Sequence, residues 1–467
     1  MASLFNKLAP LFTREKYQSQ TVGLVLVLFI LSSLSQLSFL SNPEQVVFDE
    51  YHFGKFATSY CCSHERIFDV HPPHSKLLIA GAASVMGYSG DVEYDRIGEP
   101  YPEGDSFALR FFPALIGILI PLVFFQLLRQ LRASNPAAFF GALLLVFDNA
   151  LTVQTRLIAL DGMLIFFTLG AISLFFSARN RQGAWQWVYF ALCGMAIGMA
   201  IGTKYTGMVA LGMVGLCMLV YLCKDLSKDF SLQPLQFWIL RGLTVLVSGA
   251  FVFVLGWWLH FQLLDQPGSG DIWGQWSGDF WHDFFHVQSQ MFSANSGLDK
   301  THHDGSYWWQ WPLMDGPIFY WSSLDGESIY LIGNPLVWWG STLLLIVMLG
   351  SFFLSKVSDL KLPSSGHSLW LPAVGLVASY GPLILVPRVL FMYHYFTPLL
   401  FVLMLLVLWL DKLHWIQPDK LSQQRTSVYL VVIALVGFYL ALSPMTYGLK
   451  FDAYDAQWVF QLFPHWR

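Results

Sequence analysis

The chain is short of charge. Only 12% of its 467 residues are Asp, Glu, Lys or Arg, and these stand bunched between long apolar runs. Cysteine is scarce too, at five residues, and no metal-ligand spacing or disulfide framework is legible among them; Cys61 and Cys62 are neighbours and the other three fall within apolar runs. No Asn-x-Ser/Thr sequon occurs, so nothing signals N-glycosylation. A phosphate-binding loop, a nucleotide fold and an internal repeat are all missing, and nucleic acid is not expected as a partner. The net charge of −4 says little when the charges are segregated.

What the chain has instead is hydrophobic surface, 55% of its residues. Runs of roughly 17–25 apolar residues match a bilayer core, and about eleven such windows recur: 21–40, 109–128, 136–150, 161–178, 184–202, 205–223, 240–261, 329–354, 369–387, 391–410 and 427–443. The third is short and the ninth holds several prolines. The first is too long, and its cleavage site too poor, for an ordinary signal peptide, so it reads as a retained span. The expected fold class is an all-α polytopic membrane protein: one domain over 1–467, with two larger loops at 41–108 and 262–328. With a cytoplasmic N-terminus, most Lys and Arg fall inside, while the only acids inside are Glu15, Asp225, Asp229, Asp359, Asp411 and Asp419. That is the positive-inside pattern, and it places Asp49 and Glu50 outside.

Four cations oppose this bias. Arg110 opens the second span, Arg156 lies between the third and fourth, Lys204 sits in the turn "GTKYTG", and Arg388 follows a proline in "LVPRVLFMYHYF". Singly, each could snorkel to the interface. Together they suggest a shared anionic partner at the outer boundary, for which a lipid phosphate is the natural candidate. Asp148 and Asp161 bracket Arg156 and are expected as its ion-pair partners.

In the first loop, "NPEQVVFDEYHFGKFATSY" suits a surface helix after Pro43, and "DVHPPHSKLLIAGAASVMGY" a second helix opened by prolines. The acidic Gly/Pro-rich stretch before Arg110 reads as solvated loop. Asp49 at a membrane-edge cleft could be a general base, although a surface Asp is more often a helix cap or simply solvated. In the second loop, His282 and His286 have metal-pair spacing, yet Trp281, Phe284 and Phe285 make an interfacial amphipathic helix the better reading. Trp308, Trp309 and Trp311 read first as interface anchors, and Asn334–Pro335 as a structural turn. The glycines of "CGMAIGMAIG" suit close helix packing.

"FDEYHFGKFA" followed by "FDVHPPHSKLL" resembles the protein O-mannosyltransferases, and the resemblance continues in order through "LRFFPALIG", "FDNALTVQTRLIALDGMLIFF", "GMAIGTKYTG", "SYWWQWPLMDGPIFYW", "IYLIGNPLVWW", "MYHYFTPLLF" and "SPMTYG". It implies a GT-C membrane fold with about eleven spans, a polyprenyl-phosphate-mannose donor, and Ser/Thr hydroxyls of exported proteins as acceptors. Carried over, Asp49 is the catalytic base with Glu50 beside it, Arg110 is the arginine opening the second span, His71 is the "HPP" histidine, and Tyr393 and His394 open the tenth span. The 262–328 loop holds no β-trefoil domain, which suggests a bacterial-type member using a bacterial polyprenol, in the inner membrane, with its site on the periplasmic side. His74 stands where the family usually has an apolar residue.

The chemistry is displacement of a lipid phosphate from an anomeric carbon by a neutral hydroxyl, inverting the sugar. Asp49 would take the proton, and Glu50, His71 and Trp309 would support the acceptor or the catalysis. Arg110, Arg156, Lys204, Arg388, Tyr393 and His394 would bind the donor phosphate. The scheme requires no metal cofactor and leaves a divalent ion open; the expected partners are the polyprenyl-linked sugar, an exported Ser/Thr protein and membrane lipid. Alternatives are a related enzyme using another polyprenyl-linked sugar or a lipid or glycan acceptor, and a lipid-linked sugar flippase, which would favour an inverted repeat.

Overall fold

The computed structural model describes residues 2–274, 276–296, 303–357, 369–386, 389–416 and 422–450. Helix α1 (Ala2–Leu37) leads into the first large connection, which carries α2 (Glu50–Thr58) and α3 (His74–Val85). Next come α4 (Asp105–Gln130), α5 (Asn135–Val146), α6 (Asn149–Arg156), α7 (Asp161–Arg179), α8 (Ala184–Thr203), α9 (Met208–Leu226) and α10 (Leu232–Leu263). The second large connection carries α11 (Phe280–Ser296) and an antiparallel hairpin of β1 (Ile318–Ser322) and β2 (Ser328–Leu331). Four helices close the chain: α12 (Pro335–Val357), α13 (Trp370–Ile384), α14 (Phe396–Lys412) and α15 (Ser422–Tyr447).

Nine of the described helices are long and apolar enough to cross a membrane. The pair α5–α6 makes a tenth if it is one broken span, and α13 is a shorter apolar helix. The short third window of the sequence is this bent pair, with a 63° angle between its halves. Asp148 causes the break: its backbone is extended, and its Oδ1 accepts from Leu151 N at 2.8 Å, capping a new helix. The expected span at 329–354 also moves. Residues 328–331 pair with 318–322 as a hairpin inside the otherwise helical domain, and the helix starts only at Pro335. Asn334 anchors that start, donating from Nδ2 to the Phe147 and Leu435 carbonyls and accepting from Leu336 N.

The helices divide into an inner and an outer rank. The apolar window of α14 is 78% buried within the protein and that of α10 only 17%, so α14 is a core helix and α10 turns most of its apolar surface outward to lipid. Helices α8 and α10 approach closely through glycines; a Cβ on Gly249 would stand 2.8 Å from the Gly194 carbonyl oxygen. Small residues at such a crossing let backbones meet where the hydrophobic effect supplies no driving force.

Two readings of the first connection change. The acidic stretch before Arg110 is not wholly solvated, because Tyr94 is fully buried against Gly54 and Val46 N donates to the Glu99 carbonyl. Cys61 and Cys62 form a disulfide in the wide turn Ser59–Ser63 after α2, a pairing of adjacent residues that no framework spacing would reveal.

Candidate functional site

Asp49 and Glu50 stand at the start of α2 and face different surroundings, because successive residues of a helix point about 100° apart. Glu50 turns into the protein. Its carboxylate accepts from Arg110 Nε and Nη2, both at 2.8 Å, from Val47 N at 2.9 Å, and from Ile158 N and Tyr101 Oη at 3.2 Å. Neither Glu50 nor Arg110 has any exposed side-chain surface. Arg110 gives its remaining N–H groups to the carbonyls of Leu40, Ser41, Pro43 and Gln45. A guanidinium has five N–H donors, and here all are taken. The expectation that Arg110 holds a donor phosphate, and Glu50 the acceptor, is therefore corrected: the pair clamps the 40–50 segment that presents Asp49.

Arg156 is a second clamp of the same segment. Its Nη2 donates to the carbonyls of Ser38 (2.9 Å) and Phe39, and its guanidinium lies 4.5 Å from the Tyr447 ring centre. It is buried, and unlike Arg110 it keeps a nitrogen, Nη1, without a protein partner among the described residues. Nor do Asp148 and Asp161 pair with it. Asp148 is spent on the α6 cap, Asn334 N and Trp338 Nε1. Asp161 accepts from Lys204 Nζ and Gln154 Nε2, both at 2.8 Å.

Lys204 lies on the wall of a cavity large enough for a lipid-linked substrate. The cavity measures about 790 Å3. Its lining joins His71, Asp161, Lys204, Tyr393 and His394 to an apolar wall that includes Leu164, Ile165, Met208, Val209, Leu383 and Phe396 from α7, α9, α13 and α14. A smaller hollow of about 30 Å3 beyond His71, between Asp69, Lys76 and Trp273, has room for little more than one water. Tyr393 and His394 stack at 4.7 Å, His394 also stacks on Trp311, and the Lys204 ammonium stands 5.3 Å from the Tyr393 ring centre.

Asp49 is partly buried, and its side chain does not cap its own helix. Burial pushes its carboxyl up to about 7; Lys204 pulls it down, while Asp161 and Asp69 push it up. Asp49 is not itself on the cavity wall, but the charges of two residues that are, Lys204 and Asp161, act on its carboxyl. Asp69 pairs with Lys76 at 2.6 Å; burial pushes its carboxyl up, but the Lys76 charge and hydrogen bond, with the His71 backbone N–H, outweigh it and hold the carboxyl below its ordinary range. Burial lowers His71 to about 4, so its imidazole is neutral at pH 7.

His71, Lys204, Tyr393 and His394 thus line one cavity, and Asp49 lies within reach of the Lys204 charge. Trp309 stands apart from them on the surface, half exposed and stacked on Tyr307 at 4.5 Å. Arg388 lies outside the described residues. His282 and His286 are occupied by Asp283 and the Trp273 carbonyl, and the outward Trp281 and Phe285 beside them give α11 an apolar face. Among the described residues, no three His, Cys, Asp or Glu converge as metal ligands. His74 is a packing residue: its Nε2 bonds the Val252 carbonyl at 3.1 Å, and a Cβ on Gly202 or Gly256 would overlap its ring. Sequence reasoning missed Asp161 as the partner of Lys204, and Asp69, Lys76, Gln154 and Tyr320 altogether. The rule that an intramembrane cation finds a carboxylate was the available signal for Asp161; nothing in the sequence marked Gln154 or Tyr320.

A family model described as dolichyl-phosphate-mannose-protein mannosyltransferase matches residues 26–265. A second, the C-terminal four-transmembrane region of protein O-mannosyltransferase, matches residues 280–466. The chain is 34% identical over 253 residues to protein O-mannosyltransferase 1 of Drosophila melanogaster, covering 52% of this chain and 28% of that one. With dolichyl-phosphate-mannose–protein mannosyltransferase 4 of Saccharomyces cerevisiae it shares 35% over 239 residues, 49% of this chain and 31% of that one. The chain therefore spans about a third of the length of these curated relatives. In structure it is similar to the S. cerevisiae protein O-mannosyltransferase Pmt1–Pmt2 complex bound to the sugar donor, with a TM-score of 0.87, 18% identity, and coverage of 96% of this chain and 93% of that one. It is also similar to ArnT of Cupriavidus metallidurans, with a TM-score of 0.51, 15% identity, and coverage of 93% and 77%. The fold is a multi-pass membrane GT-C fold.

Proposed function

The chain belongs to the dolichyl-phosphate-mannose–protein mannosyltransferase family, and from that premise we propose that it moves mannose from a polyprenyl phosphate to Ser or Thr hydroxyls of exported proteins. The observation that carries this reading is the cavity of about 790 Å3, lined largely by apolar side chains and carrying Lys204, whose charge acts on Asp49. An isoprenoid tail fits the apolar wall, and a phosphate suits Lys204.

In the proposed reaction the acceptor hydroxyl oxygen attacks the anomeric carbon, and its proton passes to Asp49. The bond between that carbon and the phosphate oxygen breaks, and its electrons leave with the phosphate. A base titrating near 7 accepts the proton well and is still available at neutral pH. Lys204, fixed by Asp161, meets the charge that grows on the phosphate, with Tyr393 and His394 on the same wall. Neutral His71 offers a hydrogen bond at the acceptor side. Trp309 and Tyr307 form an exposed ring pair that a peptide acceptor can lie against. Direct attack inverts the sugar.

In this reading the N-terminus is cytoplasmic and the site faces outward from a bacterial inner membrane. The test is transfer from polyprenyl-phosphate mannose to a Ser/Thr-rich peptide by the purified protein in lipid nanodiscs, parent against Asp49→Asn. Loss of transfer with donor binding retained is expected. Tight donor binding without transfer by the parent would point to a different acceptor, and no donor binding would sink the donor assignment.

A further inference from the structure

From Lys204 and its partner Asp161 a buried chain of side chains runs on toward Asp49 through Gln154 and Tyr320, which the reaction above does not use. Tyr320, on β1, donates its hydroxyl to Gln154 Oε1; Gln154, on α6, donates Nε2 to Asp161 Oδ2 at 2.8 Å; and Asp161 Oδ1 takes the Lys204 ammonium at 2.8 Å. Tyr320 and Gln154 are 2% and 1% exposed, so water cannot substitute for any of these bonds. The direction of the chain is also set. A carboxylate only accepts, so Gln154 must turn its NH2 to Asp161 and its oxygen to Tyr320, which must then donate.

The other end of the chain reaches Asp49. The Phe48 ring lies flat on Tyr320, with centres 4.1 Å apart and planes 8° from parallel. Phe48 has φ +42°, a left-handed conformation that a bulky residue adopts only when its surroundings hold it there. Its partner in the stack is thus part of what sets the turn that presents Asp49. Burial, and after it the Asp49 charge, raises the tyrosine and keeps the hydroxyl a donor.

We propose that Tyr320 and Gln154 are positioning residues: through Asp161 they hold the Lys204 ammonium where the donor phosphate binds, and through Phe48 they tie that point to Asp49. The inference rests on the reading of Lys204 as the phosphate contact. A hairpin of the second large connection thereby links the base of the first connection to the cation of the α8–α9 turn. None of the three segments is near another in sequence.

A double-mutant cycle on donor binding tests this, using the full chain in nanodiscs and polyprenyl-phosphate mannose as the probe. Tyr320→Phe keeps the ring on Phe48 and removes only the hydroxyl. It is expected to weaken donor binding about tenfold in the parent but less than twofold in a Lys204→Gln background, because the relay then has nothing to position. A general loss of structure would cost the same factor in both backgrounds, and that result would overturn the inference. So would parental affinity in Tyr320→Phe. If Tyr320→Phe folds poorly, Gln154→Met is put through the same cycle with the same expectation. Unchanged affinity in Lys204→Gln alone is a different failure: it overturns the phosphate role of Lys204, and this inference with it.

Discussion

Replacing Arg110 by Gln separates a clamp from a phosphate contact. In the structure the guanidinium is fully enclosed, bound to both Glu50 oxygens and to four backbone carbonyls. Its removal leaves Glu50 buried with only Val47 N, Ile158 N and Tyr101 Oη as donors. Breaking one partner of a buried ion pair costs roughly 3–5 kcal/mol, against a total stability on the order of 5–15 kcal/mol. The unfolding temperature in nanodiscs should fall by about 3–5 °C. Donor affinity of the protein that remains folded should stay within about twofold of the parent, since no guanidinium N–H faces the cavity. Replacing both partners, Arg110→Met with Glu50→Leu, should recover most of the loss, because an apolar pair leaves no stranded charge. Thermal unfolding and donor titration on the same samples decide it. Arg110→Gln protein that melts at the parental temperature but binds donor ten times more weakly would refute the clamp and restore the phosphate role.

Four further outcomes are expected. The kcat/KM of transfer should fall below about pH 7, as the Asp49 carboxylate is protonated, and its pH profile checks this. An acid with a raised folded value is favourable to the fold below its unfolded value near 3.8, and that contribution is lost as the pH rises through about 7. Asp49→Asn should therefore raise the unfolding temperature at pH 8, with the gain disappearing toward pH 4. Gly198→Ala sets a methyl against the Gly249 backbone and should cost about 1–3 kcal/mol, read as a lower unfolding temperature, whereas Ala at Gly212, where space is open, should not. Trp309→Ala should raise the KM for the peptide acceptor and leave donor affinity unchanged, a split that steady-state kinetics and donor titration measure together.

The spans were legible, because a bilayer asks only for length and apolarity, which a sequence displays residue by residue, although the roughly eleven expected compare with nine described helices of sufficient length and a tenth if the bent pair is one span. Ordered motifs running the length of the chain pointed to the acid at the first connection. Local chemistry gave less than it promised at the cations. Arg110, Arg156 and Lys204 look alike in sequence, each a lone cation at the end of an apolar run, yet two are closed into carbonyl clamps and one stands on a cavity wall. The difference lies in which distant backbone turns its oxygens toward them, and a sequence carries no record of that.

The same holds for the carboxylates. Composition and periodicity determined that Asp49 and Glu50 lie together at a membrane edge. Only the tertiary structure decided that Glu50 is consumed by Arg110, sixty residues on, while Asp49 is left within reach of the Lys204 charge with its carboxyl pushed up by burial. Asp161 was expected beside Arg156, its neighbour in the chain, and is found on Lys204 instead. Hydrophobic length is a property of one segment at a time, whereas the choice of a partner for a buried charge is made among all the segments that packing brings together.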